Sequence, residues 1–377
     1  MKCVSCLLFL LPLLAIAEAA GQQFHKAVYY GTGKKTSPNQ VVSAEFTSSG
    51  HVDLAVADYP GNAISLLLGN GDGTFREPLR LSVPAPIGIA VGDMNGDGIA
   101  DLVVIESGGT GNSLLVVFLG NGDGTFREAG TGQLGIYSAN VTVADFNGDG
   151  KLDAAVANRG FDKPGSVMVF FGDGKGNLKD RTTYPLAGGP WGIAAGDLNG
   201  DHHPDLAVAL DFNGSVAVLL NDGTGKFGKP GTYNAGGGEV VDVKIGDLRH
   251  DGRNDLAAVN ASKNEIAILL NHGDGTFAPA KFYVSGFSWG TGTDGVVIAD
   301  FNLDGKLDLA ASNQNGNSVL LYGKGDGTFK AAIPIHDEIQ FDGAFGLAAG
   351  DFNNDGAPDL AFAMYFKPEV AVMINTR

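Results

Sequence analysis

Residues 145–153 read Asp-Phe-Asn-Gly-Asp-Gly-Lys-Leu-Asp, and this nine-residue phrase, D-x-N-x-D-G-x-x-D, decides the reading of the whole chain. It returns as DMNGDGIAD from Asp93 to Asp101, DLNGDHHPD from Asp197 to Asp205 and DLRHDGRND from Asp247 to Asp255. Two more copies follow, DFNLDGKLD from Asp300 to Asp308 and DFNNDGAPD from Asp351 to Asp359, and an eroded one, EFTSSGHVD, runs from Glu45 to Asp53. The starts, at 45, 93, 145, 197, 247, 300 and 351, lie 48 to 53 residues apart. A fixed period of that length marks a repeat architecture.

Around each phrase the plan is constant. A short apolar run precedes it, as in Gly88-Ile89-Ala90-Val91, and a second follows, as in Leu102-Val103-Val104-Ile105. A third, such as Leu114 to Phe118, leads into a Gly-Asn-Gly-Asp-Gly-Thr-Phe turn, and a weaker fourth closes the unit. Runs of this length, rich in Val, Leu, Ile and Phe and bounded by Gly and Asp, are strands of a meander. No helical periodicity interrupts them. The fold expected is all-β: a seven-bladed β-propeller of four-stranded antiparallel blades. The ends of the chain supply its closure. Phe24 to Tyr30 align with a fourth strand and Val370 to Asn375 with a third, so the N-terminal strand completes the last blade and hides both terminal edges. An open solenoid of the same units is the alternative, but it has no need of that offset.

Composition agrees. Of 377 residues 58 are glycine, about twice the usual ~7% share, 44% are hydrophobic and only 18% are charged. The chain is therefore neither disordered nor a charged coiled coil. Forty-two acidic against 25 basic residues give a net charge of −17, which repels phosphate backbones and suits cations, so no nucleic-acid partner is expected. Residues 1–19 read as a signal peptide: Lys2, an apolar core from Leu7 to Ile16, and the small-x-small site Ala17-Glu18-Ala19. An uncleaved anchor is the alternative; no other stretch approaches the ~18 apolar residues of a transmembrane helix. The two cysteines, Cys3 and Cys6, fall within this segment. The expectation is a secreted, extracytoplasmic monomer whose propeller spans residues 24–377.

The acidic phrases read as metal loops. Three carboxylates within nine residues are costly to hold together without a cation, and an all-oxygen donor set selects a hard ion, calcium before magnesium. Positions 1, 3, 5 and 9 offer side chains, position 7 a backbone carbonyl, and Gly at position 6 the sharp turn. The candidate ligands are Asp93, Asn95, Asp97, Ile99 and Asp101; Asp145, Asn147, Asp149, Lys151 and Asp153; Asp197, Asn199, Asp201, His203 and Asp205; Asp300, Asn302, Asp304, Lys306 and Asp308; and Asp351, Asn353, Asp355, Ala357 and Asp359. These five copies are complete, although the third has His202 at position 6. The copy with Asp247, Asp251 and Asp255 carries Arg249 at position 3, so the guanidinium displaces a cation from the site or the site is weak; the Glu45 copy has lost positions 3 and 5 and is expected to be empty. Asp-Asn-Gly runs are also ordinary turns, but five copies at one spacing argue for metal. At an extracellular-type Kd of ~10⁻⁴ M and ~10⁻³ M calcium, five sites add about 7 kcal/mol, which makes the ions structural.

These residues resemble the FG-GAP/VCBS repeat family, related to the calcium-binding propeller of integrin α chains. Phe345 to Asp351 and Trp191 to Asp197 match the start of its repeat, and the Gly69–Phe75 and Gly120–Phe126 turns match its third-to-fourth-strand hairpin. The resemblance implies a calcium-binding propeller, in a family that includes adhesion modules, lectins and polysaccharide-lyase propellers. In a four-stranded meander the calcium loops share one face and the variable loops the other. The second face gathers Tyr59, Tyr137, Arg159, Phe161, Trp191, Phe212, Phe287, Trp289, Tyr365 and Phe366. Of these, Trp191, Trp289, Phe161, Tyr59 and Tyr365 are the candidate ligand contacts, suited to a sugar or a protein; the alternative is that they plug the channel. Gly286–Gly290 fits G-x-S-x-G and Gly290–Gly295 fits G-x-G-x-x-G, but neither meets the helix its chemistry needs. The reading is a non-catalytic binding or adhesion module for a protein or glycan, with a lectin or a polysaccharide lyase as alternatives.

Overall fold

The apolar runs become strands because each is flanked by residues that turn the chain, and because only pairing satisfies their backbone polar groups out of water. The computed structural model describes residues 23–108, 111–160, 164–286, 292–314, 317–335 and 343–377. The signal-peptide segment 1–19, Phe161, Phe287 and Trp289 lie outside the described residues. The described strands form seven four-stranded antiparallel sheets. Blades 1 to 7 begin with the inner strands Pro38–Ala44, Pro86–Gly92, Ser138–Ala144, Pro190–Gly196, Val240–Gly246, Thr293–Ala299 and Ala344–Gly350. Each inner strand packs beside the next, and the seventh returns to the first, so the ring is closed around a central axis. Among the described residues no helix is long and apolar enough to cross a membrane.

The closure expected from the sequence is present. Val28–Gly31 is the outer strand of blade 7 and pairs antiparallel with Glu369–Met373, Tyr29 opposite Ala371. Phe24 and Asn375 extend the pairing by one bridge. The middle strands of a blade are buried on both faces: Asp53–Asp58 and Ala63–Leu67 of blade 1 are buried at every position. The apolar core lies between blades rather than within one sheet. One layer joins Phe146, Val167 and Val169 of blade 3 to Leu206, Val208 and Phe227 of blade 4.

The Gly-Thr-Phe turns gain their purpose from this packing. The turn phenylalanine of one blade meets, edge to face, the phenylalanine at position 2 of the preceding blade's acidic loop: Phe126 with Phe46 at 5.6 Å, Phe227 with Phe146 at 5.5 Å, Phe75 with Phe352 at 5.5 Å. At the turns of Phe75, Phe227, Phe277 and Phe329 a tyrosine from the preceding blade's outer strand packs on the phenylalanine, and its hydroxyl bonds the turn backbone. Tyr184 accepts the Phe227 N–H and donates to Gly225 O, both at 3.2 Å. Each such aromatic pair adds about 0.5–1.5 kcal/mol beyond its buried area.

Candidate functional site

Seen along the ring axis, the molecule offers two different faces. The acidic loops join first to second strands and lie on one; the connections between second and third strands lie on the other.

On the acidic face, position 9 has a role that the motif alone did not reveal. Asp53, Asp101, Asp153, Asp205, Asp255, Asp308 and Asp359 are all fully buried. In six of them, Oδ2 accepts the N–H of position 2, as Met94 to Asp101 at 2.8 Å and Phe146 to Asp153 at 3.0 Å. In all seven, Oδ1 accepts an N–H just after or at the end of the third strand, from Gly69, Gly120, Gly172, Asn221, Asn271, Gly323 and Asn375. This carboxylate therefore ties three parts of the blade together. It persists in the eroded Glu45 loop, which has lost positions 3 and 5. Burial pushes Asp101, Asp153, Asp205, Asp308 and Asp359 up to about 6 against the pull of these amides, and the carboxylates at positions 1 and 5 add to the rise.

The rest of the loop is organised by its own N–H groups. Asp93 Oδ1 accepts from Gly96 at 2.7 Å and Asp97 at 3.1 Å, and its Oδ2 from Gly98 at 2.8 Å. Asp97 Oδ1 accepts the Ile99 N–H at 2.9 Å. Positions 4 and 6 both take left-handed backbone, Gly96 at φ 77° and Gly98 at φ 82°, and His202 at position 6 of its loop does so at 66°. The side chains of Lys151 and Lys306 at position 7 reach the carboxylates of Asp149 and Asp304 at 3.2 Å. Among the described residues, no three Asp, Glu, His or Cys side chains are gathered as a set around one point.

The fit of these loops to a cation rests on their donor chemistry and on one departure. The donors are carboxylate, amide and carbonyl oxygens throughout, the set a hard divalent ion prefers. In blade 5 the chain supplies a cation of its own. Arg249 at position 3 donates from Nε and Nη2 to both oxygens of Asp255, at 3.1 and 2.7 Å, and its Nη1 lies 3.2 Å from Asp251. Its Nη2 also donates to Asn271 O at 2.8 Å. The ninth-position carboxylate here gives its Oδ2 to the guanidinium, and the Leu248 N–H turns instead to Gly246 O. The space between positions 5 and 9 thus accepts positive charge, and Asp251 and Asp255 are paired with Arg249 as they stand.

The opposite face opens into a cavity of about 1070 Å³ along the axis. Its rim carries Tyr59, Tyr137, Arg159, Trp191, Tyr365 and Phe366, all among the residues expected on this face. Trp191 is 37% and Phe366 59% exposed. Arg159 sits under two rings, 4.6 Å from the Trp191 centroid and 4.8 Å from that of Phe212, while its Nη2 bonds the Asp211 carboxylate. On the far side of the mouth Phe345 stacks on Tyr365, centroids 4.5 Å apart, and Phe366 meets Tyr365 edge-on at 5.4 Å.

Below the rim runs a polar collar that sequence reasoning missed. A bulge follows the first residue of every inner strand, and it turns the next residues toward the axis. The third residues around the ring are Gln40, Gly88, Asn140, Gly192, Asp242, Gly295 and Gly346. Gln40 Oε1 accepts the Ile89 N–H at 2.7 Å and its Nε2 donates to Asn140 Oδ1 at 3.2 Å, a bond that passes the glycine of blade 2. Asp242 accepts from Lys244 Nζ at 2.7 and 2.8 Å and from the Val296 N–H of blade 6 at 3.2 Å. A side chain at Gly346 would strike the backbone of blade 1, since its Cβ would lie 2.7 Å from Gln40 Cα. The available signal was the alternation of long polar residues with glycine at one position of consecutive repeats.

Comparison with known proteins follows the same division between fold and site. A model of the FG-GAP-like repeat matches six overlapping windows, residues 46–104, 93–156, 145–208, 197–258, 247–311 and 300–362. A bovine (Bos taurus) phosphatidylinositol-glycan-specific phospholipase D is 36% identical over an alignment of 91 residues that covers 21% of this chain and 11% of that protein. Among solved structures, an Agrocybe aegerita lectin described as recognising non-reducing terminal N-acetylglucosamine superposes with a TM-score of 0.60 at 20% identity, covering 87% of this chain and 86% of the lectin. BBS1N, solved in complex with ARL6DN, superposes with a TM-score of 0.65 at 11% identity, covering 94% and 98% of the two chains. At these identities the two structures are alike in fold.

Proposed function

The chain belongs to the FG-GAP-like repeat family, and from that premise we propose that it is an exported, calcium-stabilised binding module, without catalysis, that takes its ligand at the aromatic-rimmed mouth of the channel. The observation that carries this reading is the cavity of about 1070 Å³ ringed by exposed Tyr59, Tyr137, Trp191 and Phe366. Large aromatic surfaces left open to water around a concave site are what ligand pockets use for stacking and anchoring. The donor set of five acidic loops and the guanidinium in the sixth support calcium on the other face. There the ion's role is structural: it neutralises carboxylates that fasten the blades.

A glycan is the first ligand class to test. Sugar rings stack on exposed tryptophan and tyrosine, and a like-folded protein is a lectin by its description. Binding of the calcium-loaded protein to a glycan array, repeated with Trp191→Ala and Tyr59→Ala, provides the test. Bound glycans that both variants lose by tenfold or more are expected; glycan binding that neither variant weakens would overturn the placement of the site. Absorbance from unsaturated uronate on acidic polysaccharides would instead favour a lyase.

A further inference from the structure

The charged groups lining the channel mouth are not evenly matched. Of Arg159, Asp242, Lys244 and Asp294, the first is paired with Asp211 and the next two with each other. Asp294, second residue of the blade 6 inner strand, has no cationic partner among the described residues; Gln314 Nε2 donates to its Oδ2 at 3.2 Å. In the next blade the equivalent position is Phe345, stacked on Tyr365. In the blade after that it is Asn39, whose Nδ2 donates to Ile87 O at 3.2 Å and whose Oδ1 is buried with no donor among the described residues. The two inner strands of blades 6 and 7 run close here, for a Cβ on Gly295 would lie 3.3 Å from Phe345 O.

Three consecutive blades thus present, at one level of the ring, a carboxylate, an aromatic wall and an amide oxygen: acceptors and π-faces in excess of donors. The opposite side of the mouth shows how such a set is completed. There the chain lays its own Arg159 guanidinium against Trp191 and Phe212 with Asp211 as counter-ion. We propose that the sector of Asp294, Phe345, Tyr365 and Asn39 binds an organic cation, an ammonium or guanidinium group carried by the ligand. The inference rests on the channel mouth being the ligand site and names the chemistry that this site selects. An ammonium or guanidinium supplies N–H donors to the Asp294 carboxylate and rests its charge on the rings of Phe345 and Tyr365. Burial raises the Asp294 carboxyl to about 7, despite the Gln314 donor and aided by the Asp242 charge, so a cation arriving there relieves a standing cost.

The test is an NMR titration of the full calcium-loaded chain at physiological salt with methylguanidinium, with glucosamine and with neutral N-acetylglucosamine, in wild type, Asp294→Asn and Asn39→Asp. Asp294→Asn removes a buried charge and keeps the shape, and unfolding curves check that it folds. Expected is perturbation of Asn39, Asp294 and Phe345 by at least one of the two cations. Its affinity should fall tenfold or more in Asp294→Asn and rise in Asn39→Asp. Response to methylguanidinium alone points to an arginine side chain as the source, and to glucosamine alone to an amino sugar. If neither cation perturbs the mouth, or if Asp294→Asn binds as well as wild type, the inference is overturned. N-acetylglucosamine bound at Trp191 with no cation bound at Asp294 overturns it too, while leaving the binding-module reading intact.

Discussion

At the scale of single residues, Arg249 shows most directly what the acidic loops require. Its guanidinium stands where five of the other loops offer asparagine, and it holds the buried Asp255 carboxylate by two hydrogen bonds. Removing one partner of a buried pair strands the other, at a cost of about 3–5 kcal/mol. Arg249→Asn is therefore expected to destabilise the calcium-free protein by a few kcal/mol. It also restores D-x-N-x-D-G-x-x-D, so calorimetric titration should find one more calcium per chain than in wild type, with stability regained on binding. An unchanged stoichiometry would separate the motif from metal binding.

At the scale of elements, two blade joints, 3 to 4 and 7 to 1, are built from one triad: the outer-strand tyrosine and position 2 phenylalanine of one blade, and the turn phenylalanine of the next. Tyr184, Phe146 and Phe227 form one such joint. Tyr30 plays the part of Tyr184 for the turn of blade 1, where the Phe75 N–H meets its hydroxyl at 3.3 Å. A typical intramolecular hydrogen bond contributes about 0.5–1.5 kcal/mol net. Tyr184→Phe, which keeps the ring and loses two bonds, should lower unfolding free energy by about 1–2 kcal/mol in denaturant titration. Tyr137→Phe, at the rim, leaves the joint bonds untouched and should fall short of that loss.

At the scale of the whole molecule, the ring carries buried carboxyls at the same position of successive blades, and their effect on stability adds around the circle. Asp101, Asp153, Asp205, Asp308 and Asp359 stand near 6 in the folded, calcium-free chain, above the usual carboxylate value of 3.8. A raised folded value means that stability is fully present below the unfolded value and is lost as pH rises through the folded one. The chelated protein should therefore melt at a higher temperature near pH 4–5 than near pH 7. Calcium, which favours the ionised carboxylates, should abolish or invert that trend. Melting curves with EDTA and with calcium across this range decide it; a chelated protein that is more stable at pH 7 than at pH 5 contradicts the argument.

The amino-acid sequence by itself determined the blade number, the four strands per blade, the offset that lets the N-terminal strand close the ring, the sharp turn at position 6 and the odd chemistry of Arg249. All of these are written in residues a few positions apart and repeated at a fixed period, where turn chemistry and alternation act locally. Only the tertiary structure decided that the ninth aspartate fastens two backbone segments, that the turn phenylalanines plug the neighbouring blade's loop, and that Asp294, Phe345 and Asn39 share one level of the channel. Gln40 reaches Asn140 a hundred residues away, and Asn39 lies against Gly346 because the ring closes. Such contacts come from folding separate repeats around a common axis, and no local pattern of side chains encodes which of them will face it together.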